Sequence, residues 1–422
     1  ETCFAIVGPS PVQRAQFISK VYLMIFQFSL YGFLKNLRFF EAFLFLFLRD
    51  KGLSFTDIGF LLAFKEVLVN IFNIPTGAIA DLYGRKKSLI FALLAYVISF
   101  IIFTYSSSIP LLYLAMFLFG VGESFRAGTH KAMIFDYLRM NNRLKDKTLV
   151  YGQTRSWSQR GSALSVLIGA SIVYWGAGYK SIFLYSIIPY ILGIINIALY
   201  PSYLDKKNET GKSLKEIFAH LVKTTKKCWH SVPLRHLIVQ STLYEGQYRS
   251  VKDYLQILIG LFAAGLPFLL DWESEKKTAI FIALIYFILY ILSSYASKYS
   301  HRFVHLFKTE ENAIRKIMLI TSGLLIVSTI GVLTTYIALA IVCFVLIFNL
   351  QNVMRPIMTA RYDDLSASEE QATVLSVESQ ANSVGIFILA PILGYTADHL
   401  SVAYAFALCS LILFIYLFTT RK

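Results

Sequence analysis

Charged residues are scarce in this 422-residue chain. They make up 15% of it, whereas hydrophobic residues make up 56%, and soluble domains carry roughly 25% charged residues. Cysteine is also rare, because the four cysteines Cys3, Cys228, Cys343 and Cys409 are scattered and lack metal-ligand spacing. These deficits exclude a disordered chain and a disulfide framework, and they disfavour an ordinary soluble enzyme. The stretch Glu1–Pro11 has no basic residues before its short apolar run, so we do not interpret it as a signal peptide.

Long apolar runs recur along the whole chain, and a helix needs about 20 mostly apolar residues to cross a bilayer. The sequence predicts twelve transmembrane helices, spans 1 to 12, at residues 21–48, 55–80, 87–106, 109–137, 151–175, 179–203, 236–268, 277–297, 315–332, 334–358, 372–396 and 401–420. The polar link Asp205–Arg235 separates spans 1 to 6 from spans 7 to 12. We therefore expect an all-α membrane protein with an N-terminal six-helix bundle at 1–203, a linker at 204–235 and a C-terminal six-helix bundle at 236–422. The helical repeat of apolar residues in Ser213–Cys228 predicts a surface helix that contacts membrane lipid.

The basic residues indicate the orientation of these spans. The net charge is +15, which in a soluble protein would suggest nucleic acid. In a membrane protein, cytoplasmic loops collect Lys and Arg instead. With a cytoplasmic N-terminus, the inner segments hold 25 of the 40 basic residues and the outer loops hold five. We therefore expect both termini in the cytoplasm, a bacterial inner membrane as the location and no nucleic-acid partner.

The link between spans 2 and 3 contains the pattern Gly77-x-x-x-Asp81-x-x-Gly84-Arg85-Lys86-Lys87. Together with twelve spans and a long central link, this pattern resembles the signature loop of the major facilitator superfamily. The resemblance implies a transporter fold and a cytoplasmic gate. The expected gate residues are Gly77, Asp81, Gly84, Arg85 and Asp136. In this interpretation Asp81 lies at a helix N-terminus, where a carboxylate is stabilised, and Arg85 pairs with Asp136.

The sequence departs from the family in two places. Met116 stands where many members carry an arginine in span 4, and Gly169 is followed by Ala170 where antiporters often have proline. Both departures weaken the interpretation as a simple drug–proton antiporter, which remains an alternative.

Ten basic residues fall inside the predicted spans, where an unpaired charge costs about 2.5–3.5 kcal/mol even on lenient scales. Several lie on spans 1, 4 and 7, which together with span 10 line the central cavity in the family that this chain resembles. For four others near span ends, the alternative is that their side chains extend to the membrane surface; these are Lys131, Arg155, Arg160 and Arg355. In span 7, Glu245, Arg249, Lys252 and Gln256 fall within about 40° on one helix face. The expected substrate-binding residues are Asn36, Arg38, Glu123, Arg126, Glu245, Tyr248, Arg249, Lys252, Gln256, Asn349 and Asn352. The structural alternative is a set of internal ion pairs, such as Lys65 with Glu66, or Glu378 with a basic partner.

These charges predict a secondary transporter that moves a small anionic or zwitterionic solute by alternating access. Guanidinium groups bind carboxylate or phosphate through two hydrogen bonds. A coupling proton is expected on a desolvated carboxylate or on histidine; the candidates are Glu41, Glu123, Glu245 and His130. We expect a monomer with no catalytic residues, no metal and no cofactor.

Two other classes compete with a transporter. A membrane-embedded enzyme would need a nucleophile–base pair or a metal cluster, whereas the seven histidines are dispersed. A sensor with a transporter-like fold but no transport stays open, and an uptake measurement would distinguish it. An ATP-driven pump is disfavoured, since Gly211-Lys212-Ser213 lacks the first glycine of a phosphate-binding loop, with Lys206 in its place.

Overall fold

The computed structural model describes residues 11–106, 108–127, 129–143, 146–205, 214–266, 273–366 and 371–420. These ranges contain helices and no strand. Seven helical segments among them are long and apolar enough to cross a membrane. The all-α class expected from composition is therefore confirmed, and the apolar runs do form the long helices.

The helices follow the predicted spans in order. They are α1 (Pro11–Leu34), α2 (Leu44–Asp50), α3 (Phe55–Tyr83), α4 (Arg85–Tyr105), α5 (Ile109–Arg126), α6 (Thr129–Met140), α7 (Lys147–Ile172), α8 (Gly178–Ala198), α9 (Leu214–His230), α10 (Val232–Val251), α11 (Tyr254–Ala264), α12 (Ser274–Lys298), α13 (Ser300–Phe307), α14 (Glu310–Leu333), α15 (Ile337–Leu365), α16 (Gln371–His399) and α17 (Val402–Thr419). A π-helical turn at Val173–Ala177 joins α7 to α8. Spans 1, 4 and 7 are each divided into two helices, which the sequence did not predict.

Aromatic side chains of α4 and α8 pack around the break in span 1. The ring of Phe40 stacks on that of Phe183 with centroids 4.6 Å apart, and Phe100 lies 5.0 Å from Phe40. All three side chains are buried. Close packing of this kind holds an irregular backbone segment in one conformation, because any displacement would open a void.

The surface helix predicted in the linker is present as α9. Its side chains at Thr224 and Cys228 are buried, whereas Lys223, Lys226 and Lys227 are exposed. The helix packs against α3, α10 and α16. The linker therefore contacts helices that precede it in the chain and helices that follow it.

Candidate functional site

Three helix breaks bring charged side chains to the middle of the bundle. Span 1 loses helical structure over residues 35–43, span 4 between Arg126 and Thr129, and span 7 at Lys252 and Asp253. A break leaves backbone polar groups unpaired, and at membrane depth such groups are tolerated only against protein or a water-filled cavity. The breaks therefore mark a polar interior. The predicted continuous stripe in span 7 is wrong, because the break separates Gln256 from Arg249.

Arg38, Glu123 and Arg126 form one ion-pair network. The Arg38 guanidinium donates to a Glu123 carboxylate oxygen at 2.6 Å, and Arg126 donates to the other oxygen. All three side chains are less than a quarter exposed. One carboxylate thus balances two guanidinium groups, and the network keeps an excess positive charge.

Two tyrosines that sequence reasoning missed hold this network in place. Arg38 Nε donates to Tyr190 Oη at 2.9 Å, and Tyr190 in turn donates to the carbonyl of Lys35 at 3.1 Å. Tyr96 Oη accepts from Arg38 at 3.3 Å and from Arg126 at 3.2 Å. No spacing rule identifies these tyrosines among the 26 in the chain, because they lie on α4 and α8.

A second ion-pair cluster joins α3 to α10 and α16. Glu66 on α3 pairs with its neighbour Lys65 at 3.1 Å and with Arg249 on α10 at 3.3 Å. It also accepts a hydrogen bond from Ser383 on α16 at 3.0 Å. The Lys65–Glu66 pair expected from sequence is present, and the extra contacts connect α3 to α10 and α16.

A central cavity of about 340 Å³ is lined by residues from the breaks in spans 1 and 7 and from α3 and α5. Its charged lining residues are Arg38, Glu41, Lys65, Glu66, Glu123, Arg126, Arg249, Lys252 and Asp253. Lys252 pairs with Asp253 at 3.5 Å. Glu41 is exposed and forms no ion pair within 4 Å with any residue that the structure describes. The lining of the cavity therefore contains five cationic side chains and at least one carboxylate that has no cationic partner among the described residues.

Two carboxylates, one on α10 and one on α16, accept hydrogen bonds from neutral side chains. Glu378 accepts hydrogen bonds from Ser241 at 2.6 Å and from Asn382 at 2.7 Å. Glu245 accepts one from Gln351. Both line a cavity of about 300 Å³ next to the central one. The expected basic partner of Glu378 is therefore replaced by a hydroxyl and an amide.

Other predicted binding residues lie away from the central cavity. Gln256 is fully buried and bonds to the span 1 backbone, accepting from the N–H of Phe45 at 2.9 Å and donating to the carbonyl of Glu41 at 3.3 Å. Asn349 and Asn352 donate to carbonyls of their own helix. These three side chains are thus engaged within the protein.

The remaining predicted residues lie in three places. The Tyr248 ring packs edge-on against Phe348. Asn36 and His130 line a separate cavity between α1, α6 and α7. None of the three is among the residues that line the central cavity.

The loop between α3 and α4 carries the predicted ion pair of Arg85 with Asp136. Gly84 has a φ of 107°, which disfavours a side chain. The carboxylate at the N-terminus of α4 is that of Asp205, which accepts from the backbone N–H of Lys86 at 3.0 Å. The predicted position of Asp81 at a helix N-terminus is wrong, since its backbone lies in the last turn of α3. The side chain of Asp81 and the surroundings of Gly77 lie outside the described part of the structure.

Helices α3 and α16 meet tightly at the opposite end from this loop, where α3 begins and α16 ends; we name this region the Asp398 end. The Asp398 carboxylate accepts from the backbone N–H groups of Phe55 at 2.9 Å and Thr56 at 2.7 Å, and from the Thr56 hydroxyl at 2.6 Å. Burial acts to raise the pKa of Asp398, but these hydrogen bonds outweigh it and hold the pKa below its usual value. A Cβ on Gly59 would lie 2.4 Å from the Ala390 carbonyl oxygen, and one on Gly394 would lie 2.3 Å from that of Phe55.

Comparison with known proteins gives a consistent result. Residues 23–377 match the family model of the Major Facilitator Superfamily. An uncharacterized transporter of Buchnera aphidicola subsp. Schizaphis graminum (strain Sg) is 30% identical over 155 residues, which cover 35% of this chain and 38% of that protein. The matched stretch therefore spans less than half of that relative.

Solved structures resemble the chain over nearly its full length. The nucleoside transporter NupG matches with a TM-score of 0.73 and 11% identity, covering 94% of this chain and 97% of that chain. A POT family transporter in complex with 5-aminolevulinic acid matches with a TM-score of 0.72 and 13% identity, covering 94% of each. At these identities the likeness shows the fold alone. The family match over 23–377, with the apolar helices, shows that this integral membrane protein belongs to the Major Facilitator Superfamily.

Proposed function

We propose that the chain is a secondary transporter that moves a small anionic or zwitterionic organic solute by alternating access. The twelve predicted spans form two six-helix bundles, 1–203 and 236–422, joined by the linker at 204–235. The observation that carries the proposal is the central cavity, which lies between the bundles at three helix breaks and has five cations in its lining. Transporters of this architecture bind solutes near the bilayer midplane, at broken helices.

The cations of the cavity favour an anionic group on the solute. The Arg38–Glu123–Arg126 network carries one positive charge more than its carboxylate balances. Arg249 faces it from the other bundle, is 36% exposed and holds Glu66 only at 3.3 Å. A carboxylate or phosphate entering between the bundles would gain charge-assisted hydrogen bonds from both sides. The POT relative with bound 5-aminolevulinic acid, a zwitterion, is compatible with such a solute.

The structure is closed at the Asp398 end, and we assign this end to the outside of the membrane. The inward-facing loops then include the one that carries Arg85 and Asp136, and both termini are cytoplasmic. In this assignment the Arg85–Asp136 pair is part of a cytoplasmic gate that moves as the bundles rock. In this assignment, the conformation blocks solute exchange with the outside of the membrane.

Among the coupling-proton candidates, Glu41 has the most suitable environment. It faces the central cavity and no described cation lies within 4 Å of its carboxylate. Glu123 is bonded to two guanidinium groups, which stabilise its charged form and disfavour a bound proton. His130 and Glu245 remain candidates, and Glu378 joins them, because its partners are neutral.

Uptake by proteoliposomes tests the proposal. A thermal-stabilisation screen of the purified protein with small acids, amino acids, nucleosides and drugs first selects a ligand. Uptake of that ligand is then measured with and without a pH gradient. We expect gradient-driven uptake that Glu41→Gln uncouples, with Glu216→Gln in the linker as the control. Uptake that does not depend on the pH gradient would refute proton coupling. A preference for cationic drugs would favour a multidrug antiporter.

A further inference from the structure

A second polar cavity lies inside the N-terminal bundle, between α1, α6 and α7. Its volume is about 300 Å³. Four cationic side chains line it, namely Lys35, Lys131, Arg126 and Arg155, and its lining includes no carboxylate. Arg126 also lines the central cavity, so the two cavities adjoin at this side chain. We name the second cavity the basic cavity.

The charge in the basic cavity is not balanced by the protein that the structure describes. Arg126 shares its one carboxylate with Arg38. Lys35, Lys131 and Arg155 form no ion pair within 4 Å in the described ranges, although Lys131 lies over the ring of Tyr151 at 5.3 Å. Lys35 is partly buried, whereas Lys131 and Arg155 are exposed, and like charges around one cavity repel each other, which favours a counter-anion in this space.

Two buried polar atoms in the same cavity lack partners. The Tyr31 hydroxyl and the Nε2 atom of His130 have no hydrogen bond in the described structure, and Tyr31 is 1% exposed. Their rings lie against each other with centroids 4.1 Å apart. Buried polar groups are almost always paired in native proteins. A ligand with several acceptor oxygens would satisfy both atoms.

We propose that the basic cavity binds a phosphoryl group, which forms the anionic end of the solute. This inference rests on the proposed transport function and specifies its substrate class. A phosphate monoester carries a charge of about −1.5 to −2 and three acceptor oxygens, whereas a carboxylate supplies one charge and two oxygens. Three cations without carboxylate partners and two unpaired polar atoms match the phosphate better. The organic part of the molecule then extends past Arg126 into the central cavity.

Calorimetric binding to the purified full-length protein, in phosphate-free detergent, tests the proposal. The probes are inorganic phosphate, glycerol 3-phosphate and its carboxylate counterpart glycerate. We expect glycerol 3-phosphate to bind at least 10-fold more tightly than glycerate. Lys35→Gln and Lys131→Gln should each weaken its binding roughly 10-fold, the loss expected for a hydrogen bond to a charged group. The exposed Lys223→Gln in α9 is the matched control and should leave binding unchanged.

A third variant and a lipid competitor test the same binding site. If a lysine variant fails to fold, Tyr31→Phe removes one donor with little change in shape, and it should also weaken phosphate binding. Equal affinity for glycerate and glycerol 3-phosphate, or phosphate binding insensitive to all three substitutions, would overturn the proposal. Competition with phosphatidic acid tests the other source of a phosphoryl group, and its displacement of glycerol 3-phosphate with higher affinity would assign the cavity to lipid instead. Phosphate binding without uptake would overturn the transport function alone, whereas uptake of another anion without phosphate binding would overturn this inference alone.

Discussion

Gly394→Ala should weaken closure at the Asp398 end. In the structure, a Cβ at this position would lie 2.3 Å from the carbonyl oxygen of Phe55, and the contacting atoms belong to backbone. Contacts below 3.0 Å are essentially not tolerated, so α3 and α16 would have to separate by about 1 Å at this point. The substitution therefore acts only on the conformation in which these helices touch.

The size of the effect follows from the cost of overpacking. Forcing a methyl group into a close-packed contact costs about 1–3 kcal/mol. Since 1.4 kcal/mol is a factor of ten in an equilibrium constant, closed molecules should become roughly 5- to 150-fold less favoured. Gly323→Ala is the matched control, because a Cβ there meets no atom within 4 Å.

Distances between spin labels measure this shift. Phe60 on α3 and Tyr395 on α16 are exposed and accept labels as cysteine variants, after the native cysteines are replaced by serine. We expect the label distance to lengthen in Gly394→Ala and to stay unchanged in Gly323→Ala. An unchanged distance in Gly394→Ala, with a normal unfolding temperature, would refute the argument that close backbone contact holds this end shut.

Three further predictions address other contacts. Tyr190→Phe leaves Arg38 without one acceptor and should lower the free energy of unfolding by about 1–3 kcal/mol, which chemical denaturation in detergent would measure. Asp398→Asn should make the unfolding temperature depend less on pH in acid. Because folding holds the pKa of Asp398 below its ordinary value of about 3.9, the carboxylate contributes its full stabilisation above that value. This stabilisation is lost as the pH falls through the lower folded-state pKa. Unfolding temperatures of the wild type and the variant should thus converge in acid, and a constant difference would contradict this. Asp136→Asn breaks the pair with Arg85 and should slow transport while leaving the ligand's dissociation constant unchanged; a matching loss of affinity would contradict a gate.

The overall organisation could be predicted from the sequence because it depends on composition. Membrane-crossing helices require long apolar runs, which hydropathy detects directly. The loop pattern at Gly84 and Arg85 identified the correct partner, Asp136, because charged residues at the ends of neighbouring spans have few other partners. The amphipathic repeat in the linker likewise identified α9.

The helix breaks could not be predicted, since no proline or pair of glycines marks them. Residues 35–43 read as part of an apolar helix, yet tertiary packing around Phe40 and bonds from Gln256 hold them in turns. Helix propensity is a weak preference that such packing overrides. For the same reason, Gln256 was assigned to the solute path but serves as a bridge between spans 1 and 7.

The hydrogen-bond partners of the buried charges also could not be predicted from the sequence. Periodicity placed Glu123 and Arg126 on one helix face, and their contact is present. The hydroxyls of Tyr96 and Tyr190 come from other helices, so no local pattern reports them. Ser241 and Asn382 beside Glu378 are a similar case.

Uptake by proteoliposomes carrying Arg126→Ala or Arg249→Ala tests the central claim most directly, because these two cations lie on different helices, α5 and α10, and line the same cavity. With the ligand selected by thermal stabilisation, each variant should lose at least about 10-fold of the wild-type rate, the equivalent of one charge-assisted hydrogen bond. Arg160→Ala, at an exposed position away from the cavity, should keep the wild-type rate. Folded variants that transport at the wild-type rate would contradict an anion path through the central cavity.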